Sequence, residues 1–217
     1  MKNSNQSIKI LNDEVASQIA AGEVIERPVS VVKELVENAI DANATKISIL
    51  VENAGKSKIE IIDNGTGIAF DELDMAVTRH ATSKLRTSDE LFKITSLGFR
   101  GEALASIASI SQFDLISRSV NEDIGGKIHV DSGKFIEKQK VGTPPGTIVR
   151  VKNLFYSVPA RLKFLKTNNT ENRRISGLMV RYALAYPDIQ FTLQIEAKKV
   201  LQTNGNGDRR EILAQVY

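Results

Sequence analysis

The stretch Lys58-Ile59-Glu60-Ile61-Ile62-Asp63-Asn64-Gly65-Thr66-Gly67 combines a candidate strand with a glycine-rich loop. Its first five residues are rich in β-branched side chains and are followed by turn formers, which predicts a strand. Asp63 stands where this strand ends, and Gly65 and Gly67 would let a ligand approach the backbone closely. A carboxylate in this position can accept a hydrogen bond from an exocyclic amine. An ordinary turn after a strand has the same composition, so the stretch alone leaves both interpretations open.

A second segment, residues 26–42, predicts an amphipathic helix that begins at its proline, because proline suits the first helical turn. The apolar half of its helical wheel comprises Val31, Val32, Leu35, Val36, Ala39 and Ile40. Lys33 and Glu37 are expected on the opposite side, in water. Glu34 and Asn38 lie one turn apart at the border between the two halves. They are either solvated side chains, or a general base for water and an oxygen ligand for Mg²⁺.

A third segment, residues 96–108, leads from a glycine-bearing loop into an alanine- and leucine-rich helix. Free backbone N–H groups at the start of such a helix bind phosphate, helped by the helix dipole. Gly98 and Gly101 flank Phe99 and Arg100, so the loop is also able to hinge as a lid. Loop-to-helix junctions commonly contain glycine, and this segment alone therefore does not prove a ligand site.

Taken in order, these segments resemble the GHKL nucleotide-binding fold and, within it, the MutL family of DNA mismatch-repair ATPases. The similarity extends roughly over residues 15–165. It rests on QIAAGEVIERP (18–28), KELVEN (33–38), DNGTGI (63–68), RHATSK (79–84), LGFRGEAL (97–104), GT (146–147) and LFYSVPAR (154–161). Gyrase-type topoisomerases, heat-shock chaperones and sensor kinases share the helix and the loop, but they do not share RHATSK together with GFRGEAL.

The resemblance implies a role for each matched residue. Glu34 matches the family's general base for ATP hydrolysis, and Asn38 matches the residue that holds Mg²⁺. Asp63 matches the aspartate that binds the adenine amine, and Thr147 matches a threonine that supports it. The further positions implied to contact nucleotide are Gly65, Gly67, Lys84, Gly98, Phe99, Arg100, Gly101, Glu102 and Ala103. The implied cofactors are ATP and Mg²⁺, and each assignment suits the chemistry of its residue.

Hairpin-rich strands with helices between them predict an α+β fold, with one mixed sheet and helices on one face. The resemblance implies the two-layer GHKL (Bergerat-type) sandwich. Helices are expected near residues 15–21, 28–42, 71–79, 87–92, 102–109 and 170–186, and strands near 46–52, 58–63, 113–119, 125–131, 134–140, 147–153, 189–196 and 198–203. Residues 1–217 are interpreted as one ATPase domain, in which a second subdomain begins at the C-terminal end. MutL proteins are longer, so the resemblance implies an N-terminal fragment.

Composition narrows the classes of site. The chain has no cysteine and only two histidines, so a zinc or thiol site is not expected. His80 is expected to be packed or hydrogen-bonded beside the nucleotide loop. Gly55-Lys56-Ser57 echoes the end of a P-loop, but Leu50 stands where that motif needs glycine, and a hairpin turn is predicted instead.

Charge and hydropathy bear on partners and location. No apolar run approaches the ~20 residues of a membrane span, so we expect no membrane contact and a cytoplasmic protein, nucleoid-associated if bacterial. The net charge of +3 is mild. Its basic residues cluster late in the chain, at Arg161, Lys163, Lys166, Arg173, Arg174 and Arg181. This cluster is either a solvated helix face or a sequence-independent contact for DNA phosphates.

For function, the resemblance implies a DNA mismatch-repair protein. Its domain would bind ATP, hydrolyse it slowly and couple nucleotide state to self-dimerisation, DNA, mismatch-recognition proteins and downstream repair proteins. A nucleotide-gated interaction module without significant hydrolysis is the alternative. We expect a monomer without nucleotide, weak hydrolysis, and mobility of the lid (residues 97–103) and the arm (residues 1–12), because both have few apolar anchors.

Overall fold

The fold is described from a computed structural model, which describes residues 21–22, 24–82, 97–98 and 101–216. The helices are α1 (Pro28–Asp41), α2 (Leu73–Ala76), α3 (Ala103–Ser109), α4 (Pro159–Leu162), α5 (Asn168–Ala185) and α6 (Arg209–Val216). The strands are β1 (Lys46–Glu52), β2 (Lys58–Asp63), β3 (Gln112–Arg118), β4 (Gly125–Asp131), β5 (Lys134–Val141), β6 (Gly146–Lys152), β7 (Gln190–Ile195) and β8 (Lys198–Gln202). Short 3₁₀ turns cover Asn53–Gly55 and Phe70–Glu72.

These eight strands form one mixed sheet in the order β5-β4-β3-β6-β2-β1-β7-β8. Neighbouring strands are antiparallel, except that β1 and β7 run parallel. The chain reaches β7 through the long helix α5, as a parallel pairing requires a crossover connection. The predicted α+β class with a mixed sheet is confirmed.

One face of the sheet is apolar and packs with the helices. Along β1, the side chains of Ile47, Ile49 and Val51 are buried, while the residues between them are more exposed. This alternation continues in the neighbouring strands and follows from the two-residue period of a strand. The resulting core also contains apolar residues of α1, α3 and α5, including Val32, Leu35, Val36, Ile107, Ile175 and Met179.

The other face of the sheet carries a row of charged groups. Register places Glu60, Arg150, Asp114, His129 and Glu137 side by side across β2, β6, β3, β4 and β5. Arg150 is hydrogen-bonded to Glu60, and His129 Nδ1 lies 2.9 Å from an Asp114 oxygen. Such cross-strand pairs stabilise a solvated sheet face. His129 therefore has a structural role on this sheet face, away from the glycine-rich loop.

Most predicted boundaries agree with the structure, with one clear exception. The helix expected near residues 71–79 is a 3₁₀ turn followed by the single turn of α2. The β-branched residues Val77 and Thr78 follow α2, and the Thr78 hydroxyl donates to the carbonyl of Asp74 at 2.9 Å. Such side-chain bonds compete with helix continuation. The helices α4 and α6 were not predicted. The helix expected near 87–92, and that near 15–21 apart from its last residue, lie outside the described residues.

The hairpin prediction for Gly55-Lys56-Ser57 is confirmed. The tripeptide connects the antiparallel strands β1 and β2, and Gly55 has a φ of 83°. A Cβ at this position would lie 2.6 Å from the Pro28 side chain, so the turn packs against the start of α1. Gly55 therefore serves the packing of a turn against α1, and not a phosphate-binding P-loop.

The prediction for Glu37 is wrong. Glu37 is only 8% exposed, because α5 covers that side of α1. Its carboxylate accepts a hydrogen bond from the Tyr182 hydroxyl at 2.6 Å. A helical wheel shows which side of a helix is polar, but not whether a second helix covers that side. Lys33 is exposed, as predicted.

Candidate functional site

The site begins at Asp63, the last residue of β2, which pairs with Thr147 in β6. The Gly65 N–H donates to Asp63 Oδ1 at 2.8 Å, and the Thr147 N–H donates to the same carboxylate. Burial nevertheless raises the pKa of Asp63 above its usual range, and the two backbone hydrogen bonds offset only part of this effect. A carboxylate that is buried at a cost, next to a loop, is typical of a ligand site.

The two glycines of this loop are required by packing. A Cβ at Gly65 would lie 2.7 Å from the carbonyl oxygen of Ala42, the residue after α1. Gly67 has a φ of 69°, and a Cβ there would lie 1.9 Å from the Arg118 carbonyl oxygen at the end of β3. The Thr66 N–H also donates to Ala42 at 2.9 Å. The loop is therefore held between α1 and β3, which is a different reason for glycine from the ligand contact that the sequence suggested.

Ser117 joins this loop to β6, and sequence analysis missed it. Its fully buried Oγ accepts from the Ile68 N–H at 2.9 Å and donates to the Gly146 carbonyl at 2.8 Å. It also lies 2.9 Å from Thr147 Oγ1. The sequence signal was available, since Ser117 occupies an inward position of β3 in line with Phe113 and Leu115. A polar residue in such a position needs hydrogen-bonding partners.

Glu34 and Asn38 lie on α1 and are both half-buried, as the helical pattern predicted. The Glu34 side chain is 24% exposed, and Lys33 Nζ lies 3.1 Å from its Oε1. Asp41 follows Glu34 by two turns on the same side of the helix. At 1.5 Å per residue, the backbone distance from Glu34 to Asp41 is about 10 Å. The helix therefore presents three polar side chains in a row towards its C-terminal end.

Asp41 holds the first residues of the candidate lid, and this role was not predicted. The Leu97 N–H donates to Asp41 Oδ1 at 2.9 Å, and the Gly98 N–H donates to Oδ2 at 3.1 Å. One carboxylate thus accepts from two consecutive backbone groups. The spacing of Asp41 from Glu34 indicated a shared helix face, but only the fold shows which loop it contacts.

The other end of the lid contacts the segment around His80. The His80 N–H donates to the Gly101 carbonyl at 3.1 Å, and His80 Nδ1 lies 3.3 Å from Glu102 Oε1. Gly101 has a φ of 64°, and a Cβ there would lie 2.6 Å from the Ala81 carbonyl. The sequence predicts that His80 is packed or hydrogen-bonded. Its side chain is 77% exposed and so is not packed, but it contacts Glu102. Ala103 is the first residue of α3.

Several sequence predictions fall outside the described residues. Lys84, Phe99, Arg100 and the arm (residues 1–12) are among them, so the predicted mobility of arm and lid stays a prediction. Of the remaining predicted residues, the structure gathers Asp63, Gly65, Gly67 and Thr147 at the end of β2, beside the C-terminal end of α1. Gly98 lies at the same helix end through Asp41.

A metal ion would find few ligands here. Among the described residues, no group of three or more His, Asp or Glu side chains is placed to hold one. Asn38 supplies an amide oxygen one helical turn from Glu34. Mg²⁺ usually takes one or two protein oxygens and completes its shell with water and substrate phosphates. The donor set therefore fits Mg²⁺ that arrives with a nucleotide, and it does not fit a structural zinc or calcium site.

The basic cluster is not uniform. Arg161 Nη1 donates to the carbonyls of Gly22 and Ile25 at 3.0 and 2.9 Å, and a Cβ at Gly22 would overlap the guanidinium. Arg161 therefore has a structural role in fixing the chain before α1. The other five members are exposed and leave the second interpretation, a contact for phosphates, open. No helix in the described parts of the chain has the length and apolar character needed to span a bilayer.

The mixed sheet, the half-buried Asp63 and the glycine loop against α1 together define a class of nucleotide-binding ATPases. The family model described as "Histidine kinase-, DNA gyrase B-, and HSP90-like ATPase" matches residues 26–154. An Aquifex aeolicus MutL ATPase domain complexed with ADP is 38% identical, with a TM-score of 0.70. The alignment covers 89% of this chain and 69% of that structure. The chain belongs to this ATPase family and, within it, to the MutL ATPase domains.

Other similar proteins agree with this assignment. DNA mismatch repair protein MutL of Shouchella clausii (strain KSM-K16) is 51% identical over 97% of this chain, and MutL of Bacillus anthracis is 50% identical over the same share. A solved N-terminal domain of a DNA repair protein is 30% identical with a TM-score of 0.77, covering 93% of this chain and 60% of that one. The chain spans about a third of the length of these curated relatives, 32% and 33%.

Proposed function

We propose that this chain binds ATP with Mg²⁺ and hydrolyses it slowly, as the ATPase domain of a DNA mismatch-repair protein. The observation that carries the proposal is the meeting of three segments at the C-terminal end of α1. Asp63 and its loop contact Ala42, Asp41 holds Leu97 and Gly98, and Thr147 donates to Asp63. An acid that can bind adenine, a lid, and a helix with a candidate general base for hydrolysis are thereby brought together.

In this proposal the adenine lies at Asp63, whose free acceptor capacity receives the exocyclic amine. The phosphates extend along α1 towards Asn38 and Glu34, under the loop that contains Gly98 and Gly101. Asn38 holds Mg²⁺, which neutralises phosphate charge when it is bound. Glu34 accepts a proton from the attacking water as general base. Lys84, Phe99, Arg100, Glu102 and Ala103 are proposed to complete the nucleotide contacts.

The broader role follows from the MutL relatives. We propose that residues 1–217 form one ATPase domain that works in the cytoplasm, on the nucleoid in a bacterium. Its nucleotide state would control self-dimerisation, sequence-independent DNA contact and binding of mismatch-recognition and downstream repair proteins. The exposed members of the basic cluster support the DNA contact because they leave cationic side chains available to phosphate; they are Lys163, Lys166, Arg173, Arg174 and Arg181.

The experiment that tests this function separates binding from hydrolysis. Calorimetry with a non-hydrolysable ATP analogue and Mg²⁺ measures affinity, and single-turnover release of labelled phosphate measures the chemical step. Glu34→Gln should keep affinity within about twofold and slow phosphate release by at least about 100-fold, the usual value of a general base. Glu52→Gln removes a carboxylate on β1 whose side chain is 44% exposed, and it should change neither. Absence of binding refutes the proposal, and binding without hydrolysis by the wild type favours the interaction module.

A further inference from the structure

A polar chain connects the candidate base to the helix α5. The Tyr182 hydroxyl donates to Glu37 Oε1 at 2.6 Å. Lys33 Nζ donates to Glu37 Oε2 at 2.8 Å and to Glu34 Oε1 at 3.1 Å. The ammonium group therefore lies between two carboxylates, one of which is buried and fixed by a hydroxyl from another helix.

We propose that Tyr182, Glu37 and Lys33 are positioning residues that hold the Glu34 carboxylate in place for its reaction with water. The inference rests on the proposed function, in which Glu34 is the general base. None of the three is assigned a role by the matched motifs. Tyr182 also lies outside residues 26–154, the part of the chain that the ATPase family model matches.

The chain is needed because α1 places two acids close together. Glu34 and Glu37 are three residues apart, so their side chains are neighbours on the helix surface and repel each other. Lys33 is adjacent to Glu34 in sequence and would normally point away from it. Its contact with Glu34 depends on the long lysine side chain lying across the helix towards Glu37. The position of the ammonium group is thus set by the more rigid of the two carboxylates.

Burial identifies Glu37 as that rigid member. Its side chain is 11% exposed, against 24% for Glu34 and 47% for Lys33. A carboxylate with so little solvent exposure needs hydrogen-bonding partners, and each oxygen of Glu37 accepts one hydrogen bond. Burial and the adjacent Glu37 charge raise the pKa of Tyr182, so the hydroxyl remains a donor. Burial opposes the charge of Lys33, but its bonds to Glu37 and Glu34 prevail and raise its pKa.

The arrangement also limits how strongly Lys33 pairs with Glu34, the candidate general base. An ammonium group paired with Glu34 alone would hold its proton-accepting oxygen in a tight ion pair. Because Glu37 shares the ammonium group, the three charged residues together carry one net negative charge. Glu34 therefore gains a fixed orientation while an oxygen stays able to accept a proton. Orientation of this kind contributes to rate without contributing to ground-state binding.

Two variants and one control test the proposal in the purified protein. Tyr182→Phe removes the hydroxyl and leaves the ring, and Glu37→Gln keeps an acceptor for Tyr182 but loses the charge that shares Lys33. Tyr186→Phe is the control, because its ring stacks on Tyr182 at 6.3 Å and its hydroxyl donates to none of the described residues. We expect Tyr182→Phe and Glu37→Gln to lower kcat by about 3- to 10-fold, the effect of one hydrogen bond. KM and analogue affinity should stay within about twofold, and Tyr186→Phe should match the wild type.

A second measurement does not depend on turnover. The ¹⁵N ammonium signal of Lys33, assigned by its loss in Lys33→Gln, is visible when the group is held in hydrogen bonds. It should be present in the wild type and in Tyr186→Phe, and broadened in Tyr182→Phe. An unchanged signal, or an unchanged kcat in both variants, overturns the proposal. So does an equal loss in kcat and affinity, which indicates a structural role. If instead Glu34→Gln hydrolyses ATP as the wild type does, the proposed function fails, whatever the signal shows.

Discussion

Replacement of Asp63 by asparagine separates the binding role of this residue from its cost to the fold. The variant keeps the side-chain shape and an oxygen that accepts from the Gly65 N–H, now at 2.8 Å. It replaces the second oxygen with an NH₂ group, which cannot accept from the adenine amine. Loss of a hydrogen bond to a buried partner costs about 1–3 kcal/mol. At 1.4 kcal/mol per factor of ten, ATP affinity should fall by about 5- to 140-fold.

The stability of the same variant should move in the opposite direction. Burial raises the pKa of Asp63, so the folded state binds its proton more tightly than the unfolded state does. The stabilisation linked to a raised pKa is complete below the unfolded value and is lost as pH rises through the folded one. At pH 7 the ionised carboxylate is therefore a cost that asparagine removes. We expect Asp63→Asn to unfold at the same or a higher temperature than the wild type at pH 7.

Calorimetry with an ATP analogue at pH 7, and thermal unfolding of the nucleotide-free protein between pH 4 and 7, measure the two effects. The stability difference should shrink towards pH 4, because the wild-type carboxylate is then increasingly protonated. Asp123→Asn, an exposed carboxylate between β3 and β4, is the control for loss of charge alone. Equal ATP affinity in wild type and Asp63→Asn would remove Asp63 from the site. A marked drop in unfolding temperature at pH 7 would refute the reasoning from burial.

Three further substitutions test other parts of the site. Asn38→Ala should abolish the Mg²⁺-dependent gain in ATP affinity and leave the unfolding temperature nearly unchanged, since the side chain is only half-buried. Calorimetry with and without Mg²⁺ measures this gain, and a gain that persists in the variant would contradict the prediction. Asp41→Ala should speed amide hydrogen exchange at the two lid residues it holds and weaken the ATP analogue by about 1 kcal/mol per lost bond, and unchanged exchange would remove the anchor. Gly67→Ala should destabilise the fold by about 1–3 kcal/mol in denaturant unfolding, because φ is 69° and the new methyl meets the Arg118 carbonyl, whereas Gly142→Ala, with open space around it, should not.

The sequence was sufficient for the elements whose pattern is local. The apolar stripe of α1 predicted the helix and the border positions of Glu34 and Asn38, because a single helix face decides them. The strands β1 and β2 were recognised from β-branched residues between turn formers, and their burial alternates as the period requires. The acid at the end of β2 was also visible, because strand, acid and glycines are contiguous.

Residues whose role depends on a distant partner could not be recognised in this way. Glu37 is buried by a helix that begins 131 positions later in the chain, at Asn168. Asp41 contacts backbone N–H groups, which leave no trace in the identity of Leu97. Ser117 is the intermediate case, since the strand pattern placed it inwards but could not name its partners. These are tertiary contacts, and single-segment periodicity contains no information about them.

The parallel contact between β1 and β7 has a consequence for synthesis of the chain. β1 begins at Lys46, but its parallel partner begins at Gln190, so β7 leaves the ribosome well over a hundred residues after β1. Until then β1 is paired with β2 on one edge only, and the backbone groups of its other edge are open beside the apolar side chains of Ile47, Ile49 and Val51. Exposed apolar edges pair readily with other chains, and long-range pairing is slow. We therefore expect chains that are released before β7 has been made to aggregate, because pairing with β7 covers the open edge of β1.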